Sequence, residues 1–216
     1  MTVILSQQFS LINSWINELR NVEIQHDRMR FRRNMERIGE IAAFEISKSL
    51  EYKEIEIQTP LDTIKVKEIA VQPVITTILR AGVPLFEGIL NYLDKADCGF
   101  VAAYRKHDAN DYFSIKQDYL TCPNIDGRSL IVADPMLATG ASLIEAIKDL
   151  LTNGTPTQLH IVAAIASRQG VETIEKAYPD AKIWVGAIDE NLTSKGYITP
   201  GLGDAGDLSY GEKLQR

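Results

Sequence analysis

The residues best placed to do chemistry lie in one run, 130–143, which reads LIVADPMLATGASL. Leu130 to Ala133 are apolar or small, the signal of a short buried strand. Asp134 ends that strand with a carboxylate. Thr139, Gly140, Ala141 and Ser142 then lead into a helical pattern. The first N–H groups of a helix have no intrahelical partner, and the helix dipole favours an anion beside them. Small hydroxylated residues and a glycine at that place form a phosphate cradle, and an acid just ahead of it can hold sugar hydroxyls. Together the two halves suit a sugar phosphate. A bare Thr-Gly-x-Ser turn occurs throughout α/β proteins; the buried strand and the terminal acid set this one apart.

Two further segments carry residues of the same kind. In Ile78-Leu79-Arg80-Ala81-Gly82-Val83-Pro84 an arginine ends an apolar stretch, followed by small residues and a helical pattern. An ordinary surface arginine is the plain alternative. The functional reading is a second anion loop, with the guanidinium on the anion and Ala81-Gly82 allowing close backbone approach. The third segment runs from Gly196 to Asp207, GYITPGLGDAGD. Its plain alternative is a solvated loop, yet Tyr197, Ile198 and Leu202 are apolar residues that such a loop does not need. Its glycines would let main-chain groups reach a flat ligand. Asp204 and Asp207 are spaced i, i+3, but no histidine or further acid is near, so no dedicated metal site is expected there.

The elements that must position these residues follow from periodicity. Apolar strand-type segments cover 74–79, 100–104, 130–133, 160–166 and 183–188, and helical patterns cover 83–93, 142–151 and 171–177. Ser10 precedes a short amphipathic pattern, and a long helix is expected over 27–52, with Phe31, Met35, Ile38, Ala42 and Ile46 at spacings of three and four. Strand alternating with helix predicts an α/β fold: a mostly parallel sheet with helices on both faces, in a single domain over 1–216. Ligands of such sheets bind beyond the carboxyl ends of the strands, where Asp134 and Arg80 are expected. Residues 105–123, polar with Tyr112, Phe113 and Tyr119, read as a long hairpin or flap, and 189–216 is rich in glycine without a clear period.

Composition narrows the function classes. The chain has 216 residues, 45% hydrophobic and 24% charged, an ordinary balance for a globular protein. Its formal net charge is −6, against the basic field that a nucleic-acid binder needs. No apolar run approaches the ~18 residues of a membrane span. The N-terminus lacks the basic region of a signal peptide, so a cytoplasmic location with reduced thiols is expected for Cys98 and Cys122. His26, His107 and His160 show no ligand spacing; His160, in an apolar strand pattern, reads as a satisfied core residue.

In this order, ILRAG, DPMLATGAS and GYITPGLGDAGD resemble the uracil phosphoribosyltransferases, over roughly residues 27–211. The resemblance implies a type I phosphoribosyltransferase-like fold, with a C-terminal base-binding hood over 189–211. It also implies transfer of ribose 5-phosphate from 5-phosphoribosyl 1-diphosphate (PRPP) to N1 of uracil, giving UMP and diphosphate with Mg²⁺, in pyrimidine salvage. Carried over by position, Asp134 would hold the ribose hydroxyls in a PRPP loop with Pro135, Met136, Leu137, Ala138, Thr139, Gly140, Ala141 and Ser142. Arg80 falls on the diphosphate-binding arginine, and Arg105, at the base of the flap, on a second PRPP-binding arginine. Ile198, Gly203, Asp204 and Ala205 fall on the uracil site, with Asp204 also near PRPP. Asp204, Arg80 and Arg105 are the candidate catalytic residues. The metal is expected through PRPP and water, with no protein cage. A homodimer or higher homo-oligomer is expected.

Three positions depart from the broader pattern. Ala133 precedes Asp134 where many phosphoribosyltransferases have a second acid, a feature the uracil enzymes share. Ala141 stands where many have a second glycine. Thr199 replaces a more usual aliphatic residue.

Uracil presents acceptor, donor and acceptor along O2, N3–H and O4, and a main-chain edge of N–H, C=O and N–H is its complement. Cytosine reverses two of these groups, and each buried unpaired polar group costs about 1–3 kcal/mol. A glycine-rich loop therefore suits the recognition. Asp204 either stabilises positive charge on the ribose or helps the N1 proton leave. Other readings remain at this point: an RNA-binding regulator on the same fold, a phosphoribosyltransferase for a purine base, and, for Arg28, Arg30, Arg32, Arg33 and Arg37, a solvated helix face, a subunit interface or a GTP effector site.

Overall fold

A strand buried on both faces carries apolar residues at every position, and 130–133 does so here by feeding two cores in turn. In the computed structural model, Leu130 and Val132 pack with one core, Ile131 and Ala133 with the other. The structure describes residues 1–107 and 113–213, without the side chains of 103–107 and 113–118.

In chain order the elements are β1 (Thr2–Ile4), α1 (Leu11–Arg20), α2 (Arg28–Ser47), β2 (Tyr52–Gln58), β3 (Thr63–Ile69), β4 (Val74–Leu79), α3 (Val83–Tyr92), β5 (Asp97–His107), β6 (Phe113–Thr121) and β7 (Ser129–Ala133). The two-residue β8 (Met136–Leu137), α4 (Ala141–Leu150), β9 (Gln158–Ser167), α5 (Arg168–Ala177), β10 (Lys182–Asp189), β11 (Asn191–Leu192), β12 (Ile198–Thr199) and α6 (Ala205–Tyr210) follow. The main sheet runs β1-β10-β9-β7-β4-β5-β6, with β8 extending β7's place beside β9. Every pairing in it is parallel except β5 with β6. Helices α1, α2 and α3 cover one face and α4 and α5 the other. The mostly parallel α/β architecture expected from the sequence is therefore present, and the β7, β4 and β10 carboxyl ends carry Asp134, Arg80 and Asp189.

Two expectations need correction. The long helix stops at Ser47, and Tyr52 begins a strand. Ser47 and Ser49 donate their hydroxyls back to the carbonyls of Phe44 and Ile46, which satisfies groups a helix end leaves orphaned. Beyond them β2 and β3 form a separate antiparallel ribbon, with Ile55 opposite Val66 and Ile57 opposite Ile64. Its apolar residues alternate with polar and charged ones, the period-two signal of a strand. The C-terminal segment, without period in the sequence, holds β11, β12 and α6, each too short for a periodic signal. The hairpin expected over 105–123 corresponds to β5 and β6; its tip, 108–112, lies outside the described residues. Among the described residues no helix is long and apolar enough to cross a membrane.

His160 is the satisfied core residue that its strand pattern implies. Its Nδ1 accepts the Trp184 indole N–H at 3.1 Å, and its Nε2 faces Gln158 Oε1 at 3.1 Å. With the proton on Nε2 both contacts are hydrogen bonds. Burial, and secondarily the Lys182 ammonium, hold its pKa down to about 4. The unfolded imidazole titrates near ~6.5. Between these values the unfolded chain binds a proton that the folded chain refuses, so stability is complete above the upper value and falls with pH through the window. The expected loss is on the order of 3 kcal/mol by the bottom of that window. Denaturant titrations of the wild type and His160→Gln across this range check it: the wild type should lose more stability than the variant, and equal slopes would contradict it.

Candidate active site

The PRPP-loop residues form one continuous turn between β7 and α4. Its first half is pinned to β9. The Asp134 N–H donates to the Val162 carbonyl at 3.0 Å, and the Pro135 carbonyl accepts from Ala164 and Ile165 at 3.1 and 3.0 Å. The side chains of Pro135 and Leu137 are buried and shape the loop. The Ala138 carbonyl accepts the Ser167 hydroxyl at 2.6 Å. The Asp134 carboxylate is half-buried and its Oδ1 takes the Met136 N–H at 3.4 Å.

The second half opens the helix. Gly140 has φ +82°, a left-handed backbone that places the turn just ahead of α4. Ala141, exposed, is the first helical residue, where alanine suits the backbone; the departure at this position is compatible with the cradle. Thr139 and Ser142 remain partly exposed around the helix start. Among the described residues no side-chain cap occupies the α4 N-terminus, and the Thr139 hydroxyl reaches only the Ala141 N–H, at 3.4 Å.

The Arg80 loop lies against this turn. Thr77 donates its hydroxyl to the Ala133 carbonyl at 3.0 Å, tying the end of β4 to the end of β7. A Cβ on Gly82 would collide with that threonine hydroxyl and lie 2.9 Å from the Ala133 carbonyl. Glycine is thus the residue that lets the two strand-end loops touch. The Leu79–Arg80 and Thr199–Pro200 peptides are cis.

The third segment folds over both. A Cβ on Gly196 would meet the Thr139 methyl at 3.9 Å, so the hood reaches the cradle. The Ile198 side chain is in the core, 5% exposed. Gly203 is exposed with φ +97°, and a Cβ there would meet nothing closer than Leu208, at 3.8 Å. Open space thus lies directly over the main chain where a base is expected. Asp204 caps α6, its Oδ1 accepting from Gly206 and Asp207 N–H at 2.9 and 3.0 Å and its Oδ2 from Lys213 at 3.1 Å. Burial by itself would raise its pKa; the Asp207 N–H, the Lys213 ammonium and the Gly206 N–H outweigh it and hold the carboxyl below its usual value. An acid so held is a fixed negative charge and a weak base. Ala205 is buried beside it. Arg105 lies in β5 opposite Ile115; its side chain lies outside the described residues.

Three residues that hold the hood were not singled out from sequence. Asp189, buried at the end of β10, accepts both terminal nitrogens of Arg20 at 2.8 Å and also the Gly201 N–H at 2.8 Å. Arg20 in turn donates to the Gly201 carbonyl at 2.9 Å. Gln25 donates to the Leu19 and Leu202 carbonyls at 2.8 and 3.1 Å. An Asp closing an apolar strand is the signal that could have found the first of them.

Most arginines of the 28–37 cluster have partners within the chain. Arg33 pairs with Glu36 and Glu40, and Arg30 with Glu18. Arg37 donates to Asn34 and lies over the Trp15 ring. Arg32 donates to the Ser209 carbonyl and lies over the Tyr210 ring, and Arg28 sits against Gly211. The cluster thus both balances charge along the helix and touches the C-terminal segment.

An acid at one strand end, a helix N-terminus beside it and an arginine at the next strand end, all under a glycine-rich hood, are the layout of a type I phosphoribosyltransferase. Comparison with known proteins narrows the class. A model of the family described as uracil phosphoribosyltransferase matches residues 6–211. The uracil phosphoribosyltransferase of Porphyromonas gingivalis (strain ATCC 33277) is 47% identical over 211 residues, covering 97% of this chain and 98% of that protein. That of Methanococcus vannielii is 37% identical over 203 residues, covering 93% and 86%. Among solved structures, the AQ2163 protein from Aquifex aeolicus superposes with a TM-score of 0.87 over all of both chains at 31% identity. The chain belongs to the uracil phosphoribosyltransferase family.

The Arg20–Asp189 pair should therefore be required for a formed hood. Asp189→Asn leaves a largely buried guanidinium without its counter-charge, and a loss of about 3 kcal/mol in unfolding free energy is expected. Denaturant titration measures it; a variant as stable as the wild type would show that the pair does not anchor the hood.

Proposed function

We propose that this chain converts uracil and PRPP to UMP and diphosphate. The observation that carries the reading is the junction of the three loops: cradle, Arg80 and open main chain at Gly203 meet at the carboxyl ends of one sheet. The 5′-phosphate is read as lying on the α4 N-terminus, at 138–142, with the Asp134 carboxylate on the ribose hydroxyls. Arg80 stabilises the negative charge that grows on the departing diphosphate. Gly203, Asp204 and Ala205 present the main-chain edge that complements uracil, while the Ile198 side chain supports that edge from the core.

C1 of the ribose passes through a state with positive character as its bond to diphosphate breaks and N1 attacks, and the N1 proton passes to the departing diphosphate or to solvent. The depressed pKa of Asp204 favours one of its two candidate roles: a standing negative charge near the ribose, rather than acceptance of the N1 proton. A flap bearing Arg105 would exclude the water that otherwise hydrolyses PRPP.

Phosphoribosyltransferases of this type use Mg²⁺ with PRPP, and the ion supplies charge neutralisation for the diphosphate. Among the described residues no group of three or more His, Cys, Asp or Glu could hold a metal. Asp134 and Asp204 are the carboxylates at the proposed site. That donor set fits an ion held by phosphate oxygens and water.

We read the chain as a single catalytic domain in the cytoplasm, its cysteines free. The β2–β3 ribbon supports the homo-oligomer. It stands as its own two-stranded sheet, with Ile57 and Ile64 exposed across from each other and Leu61 bare at the tip. Two strands alone are marginal in water, and a second copy of the chain is the occupant we assign to this face. Sedimentation at micromolar concentration should show a dimer or larger species; a monomer would exclude it.

Diphosphate release with PRPP and a panel of bases tests the activity. Uracil should support release, and cytosine, hypoxanthine and adenine should not. Release with hypoxanthine and none with uracil would overturn the assignment.

A further inference from the structure

Asp207 has no part in the site as described so far, yet it holds the arginine on which the diphosphate assignment rests. Arg80 Nη2 donates to Asp207 Oδ1 at 2.8 Å and to the Gly211 carbonyl at 2.7 Å. Among the described residues its Nε and Nη1 have no protein acceptor. A guanidinium is planar and carries its five N–H groups in a fixed fork. Fixing both hydrogens of one terminal nitrogen, to a carboxylate and to a carbonyl, therefore fixes the plane and leaves the other donors for an anion. The guanidinium is close to α6, its Nε 3.6 Å from where a Gly206 Cβ would stand.

Asp207 is itself held. It is the third residue of α6, and its N–H is bound by Asp204 at 3.0 Å. The chain of contacts runs from Asp204, beside the open main chain of Gly203, through one helical turn to Asp207 and on to Arg80. The pair is partly open, with side-chain exposures of 39% for Arg80 and 30% for Asp207. Ion pairs this exposed add little to stability, so its stabilising value does not explain it.

We propose that Asp207 is a positioning residue for the reaction: it aims Arg80 at the diphosphate and ties that aim to the base-binding loop. The proposal rests on Arg80 being the diphosphate ligand. It assigns Asp207 no contact with either substrate, and its effect is expected on PRPP and on kcat rather than on uracil.

Initial-rate kinetics of the full chain test this, with PRPP and uracil each varied, for the wild type, Asp207→Asn, Asp207→Glu, Arg80→Ala and the Arg80→Ala/Asp207→Asn double variant. Asp207→Asn keeps the size of the side chain and removes its charge. It should lower kcat/KM for PRPP about tenfold, with KM for uracil within about twofold and an unchanged melting temperature. Asp207→Glu should recover most of the loss. The double variant should match Arg80→Ala within about twofold, because Asp207 acts through that arginine.

Wild-type kinetics in Asp207→Asn beside an impaired Arg80→Ala would overturn the positioning role and leave the diphosphate reading intact. Wild-type kinetics in Arg80→Ala would remove the diphosphate reading itself, and the proposal with it. Losses that multiply in the double variant, or an equal rise in both KM values, would show that Asp207 acts by holding α6 and would also overturn it.

Discussion

Asp189 sets the condition that the rest of the site depends on. A loop that reads a flat ligand with its main chain has no long side chains with which to adjust, so the main chain must be held still. The Asp189 carboxylate does this from the end of β10, accepting a two-nitrogen grip from Arg20 and the N–H of Gly201. Arg20 is the last residue of α1, and α1 packs its Ile12, Ile16 and Leu19 into the core on one face of the sheet. The hood is thereby referenced to the same sheet whose strand ends carry the cradle and Arg80. A geometry shared among three loops is kept because all three are tied to one rigid body.

The loops also meet one another. Gly82 brings the Arg80 loop onto the end of β7, Gly196 brings the hood within contact of Thr139, and α6 lies on the Arg80 guanidinium. These contacts bring the cradle, the Arg80 loop and the hood together at one place. Specificity then follows from what each half lacks. On the proposed reading the cradle, built of main-chain N–H groups and small residues, reads charge and shape. On the same reading the hood, built of main chain at Gly203 to Ala205, reads the order of donors and acceptors on a base edge, and a reversed order costs unpaired polar groups.

Much of this was legible in the sequence, for identifiable reasons. The apolar strands over 74–79 and 130–133 need both faces buried, so their runs are continuous, and their carboxyl ends fall where Arg80 and Asp134 stand. Gly140 precedes α4, whose first turn has no side-chain cap, and the structure gives it the left-handed backbone that glycine permits. The helix over 27–52 was misjudged at its end because Leu50 continues the apolar spacing after the hydrogen bonds of Ser47 and Ser49 have closed the helix. The β2–β3 ribbon was legible too: Ile55 and Ile57, and Ile64 and Val66, alternate with polar residues, the period-two signal of a strand. Arg20, Asp189 and Gln25 escaped for a different reason: their partners lie far away in sequence, on backbone atoms that carry no residue signature. Asp204 stood out in the sequence as a candidate site residue but not as the cap of α6, which the structure adds and which, with Lys213, holds its carboxyl below the usual value.

The central claim is that one cleft at the carboxyl ends of the sheet joins a cradled phosphate to a base read by main chain. A crystal structure with UMP bound tests it most directly. The account predicts the phosphate at hydrogen-bond distance from the N–H groups of 139–142, the ribose hydroxyls on the Asp134 carboxylate and the pyrimidine edge on the main chain of Gly203 to Ala205. A nucleotide bound with its phosphate away from the α4 N-terminus, or with its base held by side chains elsewhere, would contradict it.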